Sequence, residues 1–497
     1  MTSLTRSALL GAAWNYIGSA VLVVAQIAST AATARLISPV GFGAYASAQA
    51  AAGFAGYFTL TTIGIGLLRR SQLSNKAIGT AATLSVAAGA IVLVAMWFLA
   101  VPWAEAWGIH AAVPLVRILG VALFLNSLSS VPLALIQYRL RFGAAALAET
   151  VTQITGITVG VLLAVHFHST VALAVGQVIA AAALLTTTAV LARRDLCVGF
   201  DRSESRELLT FGSQVSFLYL GSYASNTIPS WTAGRSFGAF ALGLYSRAYL
   251  MVGIPLTYLL TSITKVLFPL LGRVRDDTVR TKAVITEGVV LATGFTWPLF
   301  AVLAGGASVA VHLLLGSRWH AATPLLQLSV LIACGAFPTG LLTTVAEALG
   351  WLRLAALRLI TFVALLLTSV AIVESAGLGL KELLVGVAIA QWVTYAITLK
   401  PFVSRALVDR QLIIRSHLIH GAVSAGAFIV AFADAHFLGG VGLIAQVAGE
   451  LVIALAACLP ILFCRSWFPA SQVLARRLSS AQLSPYTWFG RKAAGPH

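Results

Sequence analysis

Apolar residues dominate this chain in long blocks that end at charges or at Pro/Gly breaks. A helix needs about 20 mainly apolar residues to span a bilayer. Cutting the chain on that rule predicts fourteen spans, near 9–34, 41–68, 77–101, 112–138, 143–166, 169–192, 208–234, 239–271, 283–311, 321–349, 352–375, 379–403, 414–435 and 439–466. Two of them fit least well: 41–68 is rather polar and 239–271 is over-long. The stretch from Thr33 to Arg70 shows the grammar most clearly. An apolar run ends at Arg35, the chain turns at Pro39 and Gly41, and a second run closes at Arg69 and Arg70.

Charge placement tests the count. With the N-terminus inside, the cytoplasmic segments hold 25 of the 32 Lys and Arg residues. Only Arg35, Arg117, Arg235, Arg247, Lys265, Arg318 and Lys381 fall elsewhere. Basic residues collect on the cytoplasmic side of membrane proteins, so the alternation supports fourteen helices with both ends inside. The basic connector at 193–207 divides an N-terminal lobe, 1–192, from a second, 208–403; two additional helices, 404–466, and a tail, 467–497, follow.

Composition narrows the class. The chain is 59% hydrophobic and 9% charged over 497 residues, against about 25% charged in soluble domains. One core cannot absorb that much apolar surface. The net charge of +17 reads as topology rather than nucleic-acid binding. Cys197, Cys334, Cys458 and Cys464 have no metal-ligand spacing, and no cofactor is expected. His166 and His168 read as a solvated loop. Arg6 precedes an apolar run longer than a secretory signal's, so the first helix is expected to remain.

An internal repeat organises the whole. TARLISPVGFGAYASA from Thr33 matches AGRSFGAFALGLYSRA from Ala233, placing Arg35 on Arg235, Gly43 on Gly243, Tyr45 on Tyr245 and Ala48 on Ala248. Both copies begin on the same side, so the repeat is parallel: an all-α polytopic membrane protein with two six-helix lobes plus two helices.

The stretches RLISPVGFGAYA, ALGLYSRAYLMVGIPLTYLLTSITKVLFPLLGRVRDD and VHLLLGSRWHAATPLLQLSVL resemble, in that order, motifs of bacterial polysaccharide flippases of the multidrug/oligosaccharidyl-lipid/polysaccharide exporter superfamily. The similarity covers roughly residues 5–360. It implies two facing lobes around a central cavity of alternating access in the bacterial inner membrane. It also implies a polyprenyl-diphosphate-linked oligosaccharide as cargo, and polymerases or glycosyltransferases of the same pathway as partners. In some relatives the last two helices form a groove for the lipid tail.

Candidate binding residues follow from what such cargo needs. A cation persisting inside a span usually faces a cavity or a partner, and arginine suits a diphosphate because its planar fork donates bidentately. Arg247 and Lys265 sit 18 residues apart in one predicted span, which is five helical turns and hence one face. Arg35 and Arg235 mark the two outer bends, as gate or phosphate site, or as caps on helix carbonyls. Asn15, Gln26, Gln153 and Asn226 are polar residues that could bond sugar hydroxyls. Two other functions compete. A drug/cation antiporter needs deep carboxylates, whereas the deep charges here are basic. A membrane-embedded polymerase needs a sizeable catalytic loop, and these loops are short.

Overall fold

In lipid every backbone N–H and C=O must be paired within its own segment, so apolar blocks of this length become helices. The computed structural model describes residues 24–59, 62–68, 72–197, 199–274, 277–437, 443–463 and 468–473, and every regular element among them is helical. The helices are α1 (24–36), α2 (Pro39–Thr59), α3 (Thr62–Leu68), α4 (Asn75–Trp107), α5 (Val113–Tyr138), α6 (Phe142–Phe167), α7 (Thr170–Ala192) and α8 (Arg202–Val274). They continue with α9 (Thr278–Gly305), α10 (Ala307–Leu314), α11 (Thr323–Ala348), α12 (Leu352–Ser375), α13 (Leu380–Ser404), α14 (Arg410–Phe437) and α15 (Leu443–Phe463). Among the described residues, ten helical spans are long and apolar enough to cross a membrane.

Three predicted boundaries change. The stretch 41–68 contains two helices, α2 and α3. The spans 208–234 and 239–271 lie on the single long α8, broken at Gly238, whose φ of 83° is open to glycine. The span 283–311 stops at Gly305 and restarts as the eight-residue α10. At Gly305 a Cβ would meet the Phe428 carbonyl at 2.6 Å, so only glycine allows that approach. His168, φ 49°, ends α6 by donating its backbone N–H to Ala164 O; this histidine belongs to a helix cap.

The chain forms two compact units. The first comprises Met1–Met251, Val311–Ala322 and Leu366–Leu383; the second comprises Val252–Ala310, Thr323–Leu365 and Leu384–His497.

In the first unit α5 packs on α4 and α7, and α7 on α6. Close packing replaces the hydrophobic drive that lipid does not supply, and small residues permit it. Gly156 and Gly160 of α6 meet Ala180 and Gly176 of α7, with a Cβ at Gly176 falling 2.8 Å from Gly160 Cα. The two copies of the repeat cross here. A Cβ at Gly43 would lie 1.8 Å from Ala239 O, and one at Gly243 would lie 1.8 Å from Pro39 O. The glycine pair that sequence alignment places in register is therefore the contact between α2 and the later arm of α8.

A second correspondence appears at two corners. His110-Ala111-Ala112-Val113-Pro114-Leu115 and His320-Ala321-Ala322-Thr323-Pro324-Leu325 each come after a left-handed glycine, Gly108 or Gly316, and their His-Ala-Ala lies within a short 3₁₀ turn. Pro114 and Pro324 stand second in α5 and α11, where a missing N–H costs nothing.

In the second unit α9 is the centre, packed against α11, α14 and α15. Ile285, Val289, Phe337, Leu341, Phe402 and Phe468 are among its fully buried side chains. One device recurs in both units. Asp201 donates its backbone N–H to Thr80 Oγ1 (2.8 Å), just before α8, and Asp409 donates its own to Thr286 Oγ1 (3.0 Å), just before α14.

Candidate functional site

α1 carries Gln26, Ser29, Thr30 and Thr33 at spacings of 0, 3, 4 and 7. That period places all four on one helical face. The Thr30 hydroxyl donates to Gln26 O (2.8 Å) and that of Thr33 to Ser29 O (2.7 Å). Their protons are satisfied within α1, so their lone pairs are left for a ligand.

This face lines a cavity of about 590 Å³ inside the first unit. α2 adds Tyr45 and Gln49, α5 adds Asn126, α6 adds Thr152 and Gln153, α7 adds Gln177, and α8 adds Ser246 and Arg247. Five carboxamides and a row of hydroxyls thus converge on one space. Among the described lining residues Arg247 is the sole cation, and none is acidic.

Tyr45 is the hub of the polar wall. Its hydroxyl accepts from Gln49 Nε2 (2.7 Å) and from Gln177 Nε2 (3.0 Å). With both lone pairs engaged, the phenolic proton is free to donate into the cavity. Arg247 is held differently. Its guanidinium lies 4.2 Å from the Phe42 ring centroid, a cation–π distance. Its Nε is buried without a hydrogen-bond partner. Stacking fixes the plane of the fork and leaves its donor edge for an anion.

Phe42 connects this cation to the Arg35 corner. Its ring packs edge-on against Trp319, centroids 5.5 Å apart, and Trp319 Nε1 donates to Ala34 O at 2.8 Å. Arg35, next in sequence, donates through Nη2 to Leu313 O at 2.8 Å. Leu313 is in the last turn of α10, so the cation meets the negative end of a helix dipole. At the other corner Arg235 lies beside Gly108, its Nη1 3.7 Å from where a Cβ would stand. Gly234 there approaches Trp107 and Ile109.

The structure therefore separates the sequence candidates. It gathers Arg247, Gln26 and Gln153 around one cavity. Arg35 and Arg235 lie at the corners, away from it. Asn226 is exposed on α8 and does not line the cavity. Lys265 lies on the later arm of α8, and the description stops at its backbone; Asn15 lies outside the described residues. Sequence reasoning passes over Ser29, Thr30, Thr33, Gln49 and Asn126. The polar 0-3-4-7 spacing in an apolar helix is the signal that finds the first three.

A family model described as "Polysaccharide biosynthesis protein" matches residues 32–324, more than half of the chain. Over 360 residues the chain is 24% identical to the lipopolysaccharide biosynthesis protein WzxC of Escherichia coli (strain K12), covering 72% of this chain and 71% of that one. It is 25% identical over 313 residues to the succinoglycan biosynthesis transport protein ExoT of Rhizobium meliloti (strain 1021), covering 61% and 63%. Among solved structures the fold is similar to the lipid II flippase MurJ in an inward closed conformation, with a TM-score of 0.73 and 11% identity over 93% of this chain and 99% of that one. It is also similar to an inward-facing multidrug resistance MATE family transporter of the MOP superfamily, with a TM-score of 0.62 and 15% identity over 78% and 95%. At these identities the structural likeness is one of fold.

Proposed function

The chain belongs to the polysaccharide biosynthesis protein family, and from that premise we propose that it flips a polyprenyl-diphosphate-linked oligosaccharide from the inner to the outer leaflet of the bacterial inner membrane. The observation that carries this reading is the composition of the cavity: one stacked arginine, five carboxamides, many hydroxyl oxygens and no carboxylate among the described lining residues. A diphosphate calls for a guanidinium, which donates bidentately and stays charged. Sugar hydroxyls call for groups that both donate and accept, as amides and hydroxyls do. A cation antiporter would need the reverse polarity here. The transport and biosynthesis roles in the relatives' names agree with this cargo, and the inward closed and inward-facing conformations of the structural neighbours agree with alternating access.

In this mechanism Arg247 takes the diphosphate while the amides of α1, α2, α6 and α7 take the first sugars. Phe42 and Trp319 link that cation to the Arg35 corner, so loading the cavity is felt at the outer side. The finer topology belongs to the same proposal: fourteen helices, lobes at 1–192 and 208–403 joined by the 193–207 connector, helices at 404–466, and both termini in the cytoplasm. Cysteines placed at the exposed His110, Phe167 and Phe437 should label from outside. Inside labelling of any of them breaks this topology. Polymerases or glycosyltransferases of the same pathway are the expected partners, and the chain itself needs no catalytic group.

The direct test is a deletion strain. It should accumulate the lipid-linked glycan on the inner leaflet, and the intact gene should clear it. Normal export in the deletion strain would refute the flippase reading.

A further inference from the structure

The second unit holds a cavity of quite different chemistry. At the turn where α11 passes into α12, beside the end of α13, about 590 Å³ is lined by Trp351, Arg353, Leu354, Leu357, Pro401 and Arg405 among others. The charge pattern of the sequence assigns this end of the helices to the cytoplasm. Arg405 stacks on Trp351, its guanidinium carbon 4.0 Å from the ring centroid. Stacking occupies the face of the guanidinium and leaves its N–H edge free to donate in the plane. Neither Arg353 nor Arg405 has a carboxylate partner among the described residues, and no acidic side chain lines the space. From the same place α12 turns Leu352, Leu357 and Ile360 outward, with exposures of 67%, 54% and 67%.

We propose that this cavity holds the phosphate of an anionic phospholipid of the inner leaflet, with an acyl chain lying along Leu352, Leu357 and Ile360. Two unpaired arginines attract a phosphodiester, and basic pockets between spanning helices on the cytoplasmic side bind such headgroups. The absence of carboxylate among the lining residues leaves the amine of a zwitterionic headgroup without a partner. The lining also has no amide or hydroxyl side chain to read sugars, in contrast to the cavity around Arg247. The exposed leucine and isoleucine side chains fit an amphiphile better than a water-soluble phosphate.

Native mass spectrometry of the detergent-solubilised full chain tests this, with phosphatidylglycerol, phosphatidylcholine and glycerol phosphate as probes. Wild type should retain phosphatidylglycerol in preference to the other two. The double variant Arg353→Gln/Arg405→Gln should weaken that retention about thirty-fold, the product of two contacts of about 1 kcal/mol each. Arg353→Gln alone leaves the Trp351 stack in place and should still lose several-fold. A control pair on α8, Arg202→Gln/Arg206→Gln, should bind as wild type does. Wild-type retention by the double variant overturns the proposal, as does equal retention of phosphatidylcholine. Displacement by equimolar glycerol phosphate would overturn the lipid assignment, and displacement by equimolar polyprenyl diphosphate would give the site to the cargo. None of these outcomes depends on whether the chain flips glycans.

Discussion

Ser47 and Arg247 hold the same register in the two copies of the repeat, 200 residues apart. Ser47 is fully buried, its carbonyl accepts from Trp103 Nε1 at 3.1 Å, and its hydroxyl oxygen has no partner. Arg247 opens onto the polar cavity. Their neighbours part in the same way but with the sides exchanged. Tyr45 is the hub of the cavity wall, while Tyr245 is buried with its ring 5.9 Å from Tyr249. Yet Gly43 and Gly243 pack as mirror partners, and Ala48 and Ala248 are both at 0% exposure. The shared residues make the crossing, and the proposed binding site sits where the two copies differ.

The largest effect should come from breaking what the copies share. Gly43→Ala or Gly243→Ala would drive a Cβ to 1.8 Å from a backbone carbonyl oxygen, which cannot move aside as a side-chain tip can. Each should cost about 3 kcal/mol or more, read as loss of the monodisperse, cooperatively melting protein in detergent. If either variant melts like wild type, the crossing is elsewhere.

Breaking what the copies do not share should spare the fold and remove function. A hydrogen bond to a charged group contributes about 1.5–3 kcal/mol, so Arg247→Ala should cut flipping roughly ten- to hundred-fold with melting unchanged. Moving the cation to the other copy, with Ser47→Arg and Arg247→Ser together, should not restore it, because position 47 is fully buried and does not face the cavity. Export in the deletion strain reports both. Rescue by the exchanged pair would show that the copies are functionally alike.

The corners offer a finer distinction. Arg35 donates to a helix-terminal carbonyl, whereas Arg235 only lies beside Gly108. Arg35→Gln should cost about 1 kcal/mol and Arg235→Gln little, as seen in thermal unfolding. Equal losses would mean that the corners are equivalent.

The helical scaffold was legible because lipid imposes a coarse code: a long apolar run has to pair its backbone within itself and so becomes a helix. Arg247 stood out for the same reason, as a charge where charges are costly. The boundaries at Gly238 and Gly305 were less legible, since they depend on φ and on a neighbour's carbonyl rather than on polarity. The His110 and His320 corners escape a search keyed to arginine and tyrosine, although their six-residue match is the closer one. Tyr45 reads in sequence as a register mark. Its role as an acceptor for two amides arises only when α7 brings Gln177 across, and no spacing within α2 encodes that.

The smallest expected effect lies at the cap before α8, where the two units use one device with unequal detail. Asp409 Oδ1 accepts from Leu412 N at 3.1 Å. Asp201 Oδ1 accepts from the Ser203 hydroxyl (2.5 Å), the Ser203 N–H (2.9 Å) and the Glu204 N–H (3.2 Å). The Ser203 hydroxyl, then the two amides, hold the Asp201 carboxyl below its ordinary value of 3.8. A carboxyl lowered on folding binds its proton more readily when unfolded, so stability falls with acid. The contribution is complete above the ordinary value and is lost as pH drops through the lower, folded one. Amide exchange at 203–206, corrected for intrinsic rate, should therefore accelerate between about pH 5 and pH 2. Asp201→Asn keeps an acceptor oxygen but cannot titrate, so its protection should stay flat across that range. A variant that still loosens with acid would place the sensitive group elsewhere and leave the two caps equivalent.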